Sequence, residues 1–209
     1  MERDMRRIPL SRRSHVIGFQ ALATGATAHE SALERDFVTL TAFFDAGAVV
    51  TAQPVTIRFE HEGKARRYTP DFLVKSSDGQ STLVEIKYRQ DLRMQWARLR
   101  PAFVAARGWA AANGGSFRII TESAIRGPRL DAAKRLLPLR AAPVDTVLAT
   151  VMLDRVARLD NPTFGMLVDA LPGNREAALG VVWRLIARGQ LRVDLNAPIA
   201  NDSRVRAAA

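Results

Sequence analysis

The apolar positions of the chain follow two periods before about residue 137 and essentially one after it. In HESALERDFVTLTAFF, Leu33, Phe37, Leu40 and Phe44 recur at helical spacing, which predicts a helix from about Glu30 to Phe44 with a buried stripe. Val55-Thr56-Ile57-Arg58-Phe59 alternates as a strand and is turned by His61-Glu62-Gly63-Lys64. Two further strand runs, Phe72-Leu73-Val74 and Ser81 to Tyr88, flank the turn signal Ser76-Ser77-Asp78-Gly79. Together these runs predict three antiparallel strands. The next segment, YRQDLRMQWARLR, reads as a helix with Leu92, Trp96 and Leu99 turned to the core. Pro101 starts or kinks a further helix to about Ala112, with Phe103 and Trp109 as core residues, and Asn113-Gly114-Gly115 ends it. Ser116 to Thr121 then reads as a buried strand that returns across a helical connection, hence parallel to its neighbour. Before all of these, the small residues from Ser14 to Ala28 suggest loop.

Beyond Leu137 the pattern predicts short helices at Val144–Leu159, Thr163–Leu171 and Arg175–Arg188. Breaks fall at Asn161-Pro162 and at Pro172-Gly173-Asn174, where Asn174 is a candidate cap. An alternating ribbon, Leu191 to Leu195, and a turn at Asn196-Ala197-Pro198 follow. Helix, turn, helix and ribbon in that order predict a winged helix-turn-helix, in which Arg175, Arg184 and Arg188 are candidate phosphate contacts. Such modules dock proteins as well as DNA, and both readings stay open. The expected organisation is a basic arm over residues 1–27, an α/β domain over 28–137 and a winged-helix-like domain over 138–209.

Charge changes the picture of the partner. The chain of 209 residues carries 31 Lys and Arg against 21 Asp and Glu, a formal charge of +10, which favours a polyanion. Arg3, Arg6, Arg7, Arg12 and Arg13 concentrate in the first thirteen residues, as a phosphate-contacting arm or a solvated tail. There is no cysteine, so disulfides and thiolate zinc sites are excluded, and His15, His29 and His61 lack metal-ligand spacing. No apolar segment is long enough to span a bilayer, and a cytoplasmic protein without membrane attachment is expected.

The candidate chemistry lies between Tyr68 and Lys87. Alternation along the second strand places Leu83, Glu85 and Lys87 on one face and Thr82, Val84, Ile86 and Tyr88 on the other. A lone Glu-x-Lys strand is ordinarily a solvated face. Asp71, however, opens the neighbouring strand, where it would lie opposite Glu85. Two converging carboxylates repel unless one takes a proton or a cation sits between them, and hard oxygen ligands suit magnesium. Lys87 would point into the same site, to orient or help deprotonate a water or to neutralise charge on a phosphate. Arg89, Arg93, Arg98 and Arg100 follow directly and are candidate phosphate contacts on a helix that also covers the core, above all Arg89 and Arg93.

Pro70-Asp71 followed by Glu85-Ile86-Lys87 resembles the PD-(D/E)xK nuclease signature. Glu30-Ser31-x-Leu33-Glu34-x-Asp36-Phe37, Gln53-Pro54, Tyr68-x-Pro70-Asp71-Phe72-Leu73-Val74, Val84-Glu85-Ile86-Lys87-Tyr88 and Ile119-Ile120-Thr121-Glu122 follow in order. Over roughly Ala28 to Ile125 they resemble the TnsA family, the endonuclease subunit of heteromeric cut-and-paste transposases. The resemblance implies a restriction-endonuclease-like mixed sheet flanked by helices. It implies Asp71 and Glu85 as metal ligands, Glu34 as the helical carboxylate completing the acidic site and Lys87 as the catalytic lysine. Glu30 and Gln53 would have supporting roles. It further implies Mg2+, with Mn2+ able to substitute, and hydrolysis at the 5′ ends of transposon DNA. An integrase-type transposase and an ATPase regulator would be the partners. A stand-alone restriction or repair nuclease, or a non-catalytic basic DNA-binding or assembly protein, are the alternatives.

Overall fold

The computed structural model describes residues 18–170 and 174–208 and contains two compact units, which meet in sequence between Ile125 and Arg126. The basic arm predicted over Arg3 to Arg13 lies outside the described residues, as do Pro172 and Gly173 of the predicted turn.

The first unit is mixed α/β. Strands β1 (Gly18–Leu22) and β2 (Gly25–His29) pair antiparallel, and helix α1 (Ala32–Phe44) follows. The expectation of a loop across Ser14–Ala28 is therefore corrected from Gly18 onward, residues 14–17 lying outside the described residues. The small side chains hid the strand period, and what holds the hairpin are polar anchors to the next strand, β3 (Val49–Ala52). Thr24 Oγ1 donates to the Ala48 carbonyl at 2.7 Å and Thr27 Oγ1 donates to that of Val50.

Among the described residues, strands β4 (Ile57–His61) and β5 (Lys64–Tyr68) pair only with each other. Strand β3 takes the place beside β6 (Phe72–Lys75) that the three-strand reading gave to them. Next come β7 (Ser81–Ile86), α2 (Arg89–Ala112), β8 (Ser116–Ile120) and the short α3 (Glu122–Ile125). The main sheet has the order β3-β6-β7-β8, antiparallel except for the predicted parallel pair of β7 with β8. Pro101 sits inside α2, which runs unbroken past it.

Both faces of this sheet are covered. On one, Phe72, Val74, Val84 and Ile86 pack with Leu33, Phe37 and Val38 of α1; on the other, Leu83 packs with Ile57, Ala106 and Ala110. The stripe predicted for α1 shifts accordingly. Phe44 is exposed while Val38 and Phe43 are buried, because α1 meets the β1–β2 hairpin and α3 as well as the core. Trp96 is about half exposed, its ring touching that of the buried Phe103 rather than entering the core.

Gly115 marks the tightest point of the return from α2 to β8. A Cβ there would lie 2.7 Å from the carbonyl oxygen of Ser81, a backbone atom at the start of β7. Gly115→Ala is expected to cost roughly 1–3 kcal/mol, the usual range for forced overpacking, read by urea unfolding.

The second unit contains α4 (Pro128–Leu136), a 3-10 turn at Leu137–Leu139, α5 (Thr146–Arg158), α6 (Phe164–Val168) and α7 (Arg175–Ala187). A ribbon of β9 (Leu191–Val193) and β10 (Val205–Ala207) closes it. Helix α4, which the pattern placed in the first domain, packs here against α7 and buries Leu130, Ala133 and Leu136. Asp145 and Thr163 cap α5 and α6 with their side chains, whereas Asn174 stands at the cap of α7 without a side-chain bond. No helix among the described residues is long and apolar enough to cross a membrane.

Candidate active site

The register of β6 on β7 builds the site. Phe72 pairs with Val84, so one step further the ladder sets Asp71 opposite Glu85, as the hairpin pattern predicts. The Asp71 carboxylate is fixed there by the backbone, because Oδ2 accepts the Ile86 N–H at 2.7 Å. Glu85 is no solvated strand residue; it is only 3% exposed. Its two oxygens are held from two sides, Oε1 by Lys87 Nζ at 2.9 Å and Oε2 by the Tyr68 hydroxyl at 2.6 Å. Lys87 is itself anchored, its N–H donating to the Ile120 carbonyl on β8. Tyr68 is the residue that sequence reasoning passed over. It opens the motif Tyr68-x-Pro70-Asp71, but nothing in the spacing gave it a role.

Electrostatics follow from this crowding. Burial, and then the Glu85 charge, raise the Asp71 carboxyl from 3.8 to about 8, against the lowering effects of the Ile86 N–H and Lys87. Both carboxyls ionised would exceed what one ammonium neutralises, so without a cation Asp71 keeps its proton below about pH 8. Burial by itself would lower the Lys87 amine, but the charges of Glu85 and Asp71 and the bond to Glu85 raise it instead, so Lys87 is held as a cation. Burial and Glu85 likewise push the Tyr68 phenol up, keeping it a neutral donor. Glu34 acts through space on both Asp71 and Lys87, in each case as the weakest of the named contributions.

Residues 49–122 match the family of TnsA-like endonuclease N-terminal domains. That segment of the first unit is similar to a TnsA-like endonuclease N-terminal domain. No curated protein matches the chain. The matched segment of the TnsA-like domain holds Gln53, Tyr68, Asp71, Glu85 and Lys87, while Glu30 and Glu34 precede it.

These two glutamates lie at the start of α1, Glu30 just before its cap and Glu34 in its first turn. Ser31 caps the helix, accepting the Glu34 N–H at 3.1 Å, and the Glu34 carboxylate accepts from Ser31 Oγ at 2.8 Å and from the Glu30 N–H at 2.7 Å. This is a reciprocal capping box. Gln53 completes a chain of contacts back to Asp71. Its N–H donates to the Asp71 carbonyl at 2.8 Å and its side-chain amide to the Glu30 carboxylate. It does so from a left-handed backbone, φ 45°, which a non-glycine residue adopts only at a cost of order 1 kcal/mol.

Among the described residues no three His, Cys, Asp or Glu side chains form a ready metal cage. The donor chemistry nevertheless fits a hard divalent cation, because the two juxtaposed carboxyls do not both ionise unaided and a cation would take the place of the proton that Asp71 keeps. Arg89 and Arg93 are exposed on the first turns of α2, two and six residues beyond Lys87, and the Arg89 N–H is held by Glu122 Oε2 at 2.9 Å.

The three arginines singled out in the second unit are placed differently. Arg175 pairs with Asp169 at 2.8 Å, and Arg188 donates to the carbonyls of Arg140 and Ala142. Arg184 is partly buried, with its Nε lacking a hydrogen-bond partner among the described residues.

Proposed function

We propose that the chain is a magnesium-dependent DNA endonuclease, the TnsA-type subunit of a heteromeric transposase, hydrolysing phosphodiesters at the 5′ ends of a transposon. The observation that carries this reading is the juxtaposed Asp71–Glu85 pair, in which Glu85 is buried and bridged to Lys87 at 2.9 Å. Asp71 and Glu85 would hold the cation, with Glu34 beside them, and Mn2+ would substitute. The bound ion would supply Lewis-acid polarisation of the scissile phosphate and activation of a water. The charges of Glu85 and Asp71 raise the Lys87 amine in the cation-free protein, which supports a role in neutralising charge growing on the phosphate. Tyr68 and the Ile86 N–H fix the two carboxylates, so no reorganisation is required of them as charge develops.

In this reading the substrate is double-stranded transposon-end DNA, with Arg89 and Arg93 contacting its phosphates beside the cut. The second unit is a winged-helix-like docking module. Its cation candidates, Arg175 and Arg188, are already engaged within the unit, which favours a protein partner over DNA. An integrase-type transposase would supply the cut position, and an ATPase would regulate assembly.

The test is strand cleavage of transposon-end DNA with Mg2+ or Mn2+. The chain with its transposase should nick the 5′ ends, and the chain alone should cut poorly. Deletion from about Val144 onward should remove the partner-dependent activity while the first unit still folds. Efficient, sequence-specific cutting by the isolated chain would replace this reading with a stand-alone nuclease.

A further inference from the structure

The β4–β5 hairpin stands outside the main sheet, and the two faces of this ribbon are unlike. Ile57 and Tyr68 pair across one face, and Ile57 is buried against Leu83, Ala106 and Ala110. On the opposite face Arg58 stands directly across from Arg67, and both are exposed. Directly opposed side chains have Cβ atoms about 5 Å apart, where like charges destabilise a strand pair. Neither guanidinium has an ion-pair or hydrogen-bond partner among the described residues. Lys64 and Arg66 add two more exposed cations. Of the hairpin's acids, Glu60 shares the face of Arg58, and Glu62 lies 3.8 Å from His61.

A strained pair of cations is relieved by a bound phosphate. The hairpin is also joined to the chemistry, since Tyr68, the last residue of β5, holds the Glu85 carboxylate at 2.6 Å. A two-stranded ribbon is a size that the major groove of a duplex, about 12 Å wide, admits.

We propose that the β4–β5 hairpin is a DNA-binding arm, in which Arg58 and Arg67 grip phosphates flanking the scissile bond while Tyr68 sets the position of Glu85. The identity of the ligand rests on the nuclease reading above. Tyr68 is a positioning residue, acting through Glu85.

Affinity for a short DNA duplex of unrelated sequence, measured across a salt series with divalent cations chelated, tests the arm without calling on catalysis. Arg58→Ala with Arg67→Ala should weaken binding roughly tenfold and make the log–log salt dependence shallower by about 1.8, at about 0.9 per phosphate contact. The Lys pair, Arg58→Lys with Arg67→Lys, should keep most of the affinity. The charge-matched Lys75→Ala with Arg155→Ala, both exposed and Lys75 at the end of β6 away from Asp71, should bind like the parent. Parental affinity and slope in the Arg58/Arg67 alanine variant, or an equal loss in the control pair, would overturn the arm.

Tyr68→Phe should bind within about twofold of the parent yet lower kcat roughly tenfold at unchanged KM in the assembled complex. An unchanged kcat would sever the link to Glu85. If the arm grips DNA but the complex never cleaves, the nuclease reading fails and the arm stands. If cleavage proceeds and the arm variants bind normally, only the arm fails.

Discussion

Asp71→Asn, prepared free of divalent cations, is expected to resist urea at pH 8 better than the parent protein while losing strand cleavage entirely. The Asp71 carboxyl is raised in the folded state from 3.8 to about 8, first by burial and then by Glu85. A raised group contributes stability that is complete below its unfolded value and is lost as pH climbs through its folded value. Without a cation the parent should therefore weaken between about pH 4 and pH 8. At about 1.4 kcal/mol per pKa unit the ceiling is roughly 6 kcal/mol, and solvent relaxation leaves an expected loss of about 1–3 kcal/mol. Asparagine keeps an acceptor for the Ile86 N–H and has no charge to bury. Its stability should be flatter over that window. Identical pH profiles for the two proteins in equilibrium unfolding would show that Asp71 does not carry this charge conflict.

Lys87→Ala should lower cleavage in the assembled complex by roughly 10²–10³-fold, the scale for removing one group that stabilises a developing oxyanion. DNA affinity should change by less than about threefold, because contacts spread over many phosphates dominate binding. The pH–rate profile of the parent provides a second readout. The neighbouring carboxylates raise the Lys87 amine, so as a charge stabiliser this lysine should contribute no ionisation to the rate near neutral pH. A variant that retains near-parental cleavage, or a lysine-dependent limb near neutral pH, would remove Lys87 from the role of charge stabiliser.

Much of this site could be read before the structure was in hand, because it is built from neighbours on one hairpin. Once Phe72–Val74 and Ser81–Tyr88 are strands joined by a short turn, the pairing of Asp71 with Glu85 follows from register alone. The parallel return of β8 follows from the helical connection. What escaped the pattern depends on surfaces meeting from afar. Strand β2 is made of small residues, and the two large apolar side chains of β1, Phe19 and Leu22, fall out of alternation; the hairpin is fastened instead by the hydroxyls of Thr24 and Thr27 to the carbonyls of Ala48 and Val50. Strand β3 is four residues long and gains its place only by pairing with β6. Tyr68 was visible as a residue but not as a ligand of Glu85, since its strand belongs to a different sheet. The engagement of Arg175 and Arg188 by nearby groups is likewise invisible to spacing.

One carboxylate in this protein serves two masters. Glu34 closes the capping box that starts α1, and the same group lends its charge to the Asp71–Lys87 neighbourhood. Any cation that drew Glu34 inward would loosen the first turn of the helix, and any tightening of that turn would draw the charge away. Filling the site and fastening the helix are thus competing uses of a single side chain. Loss of Glu34 would accordingly be felt twice over, in the melting of α1 and in the chemistry, and glutamine would keep the first while giving up the second.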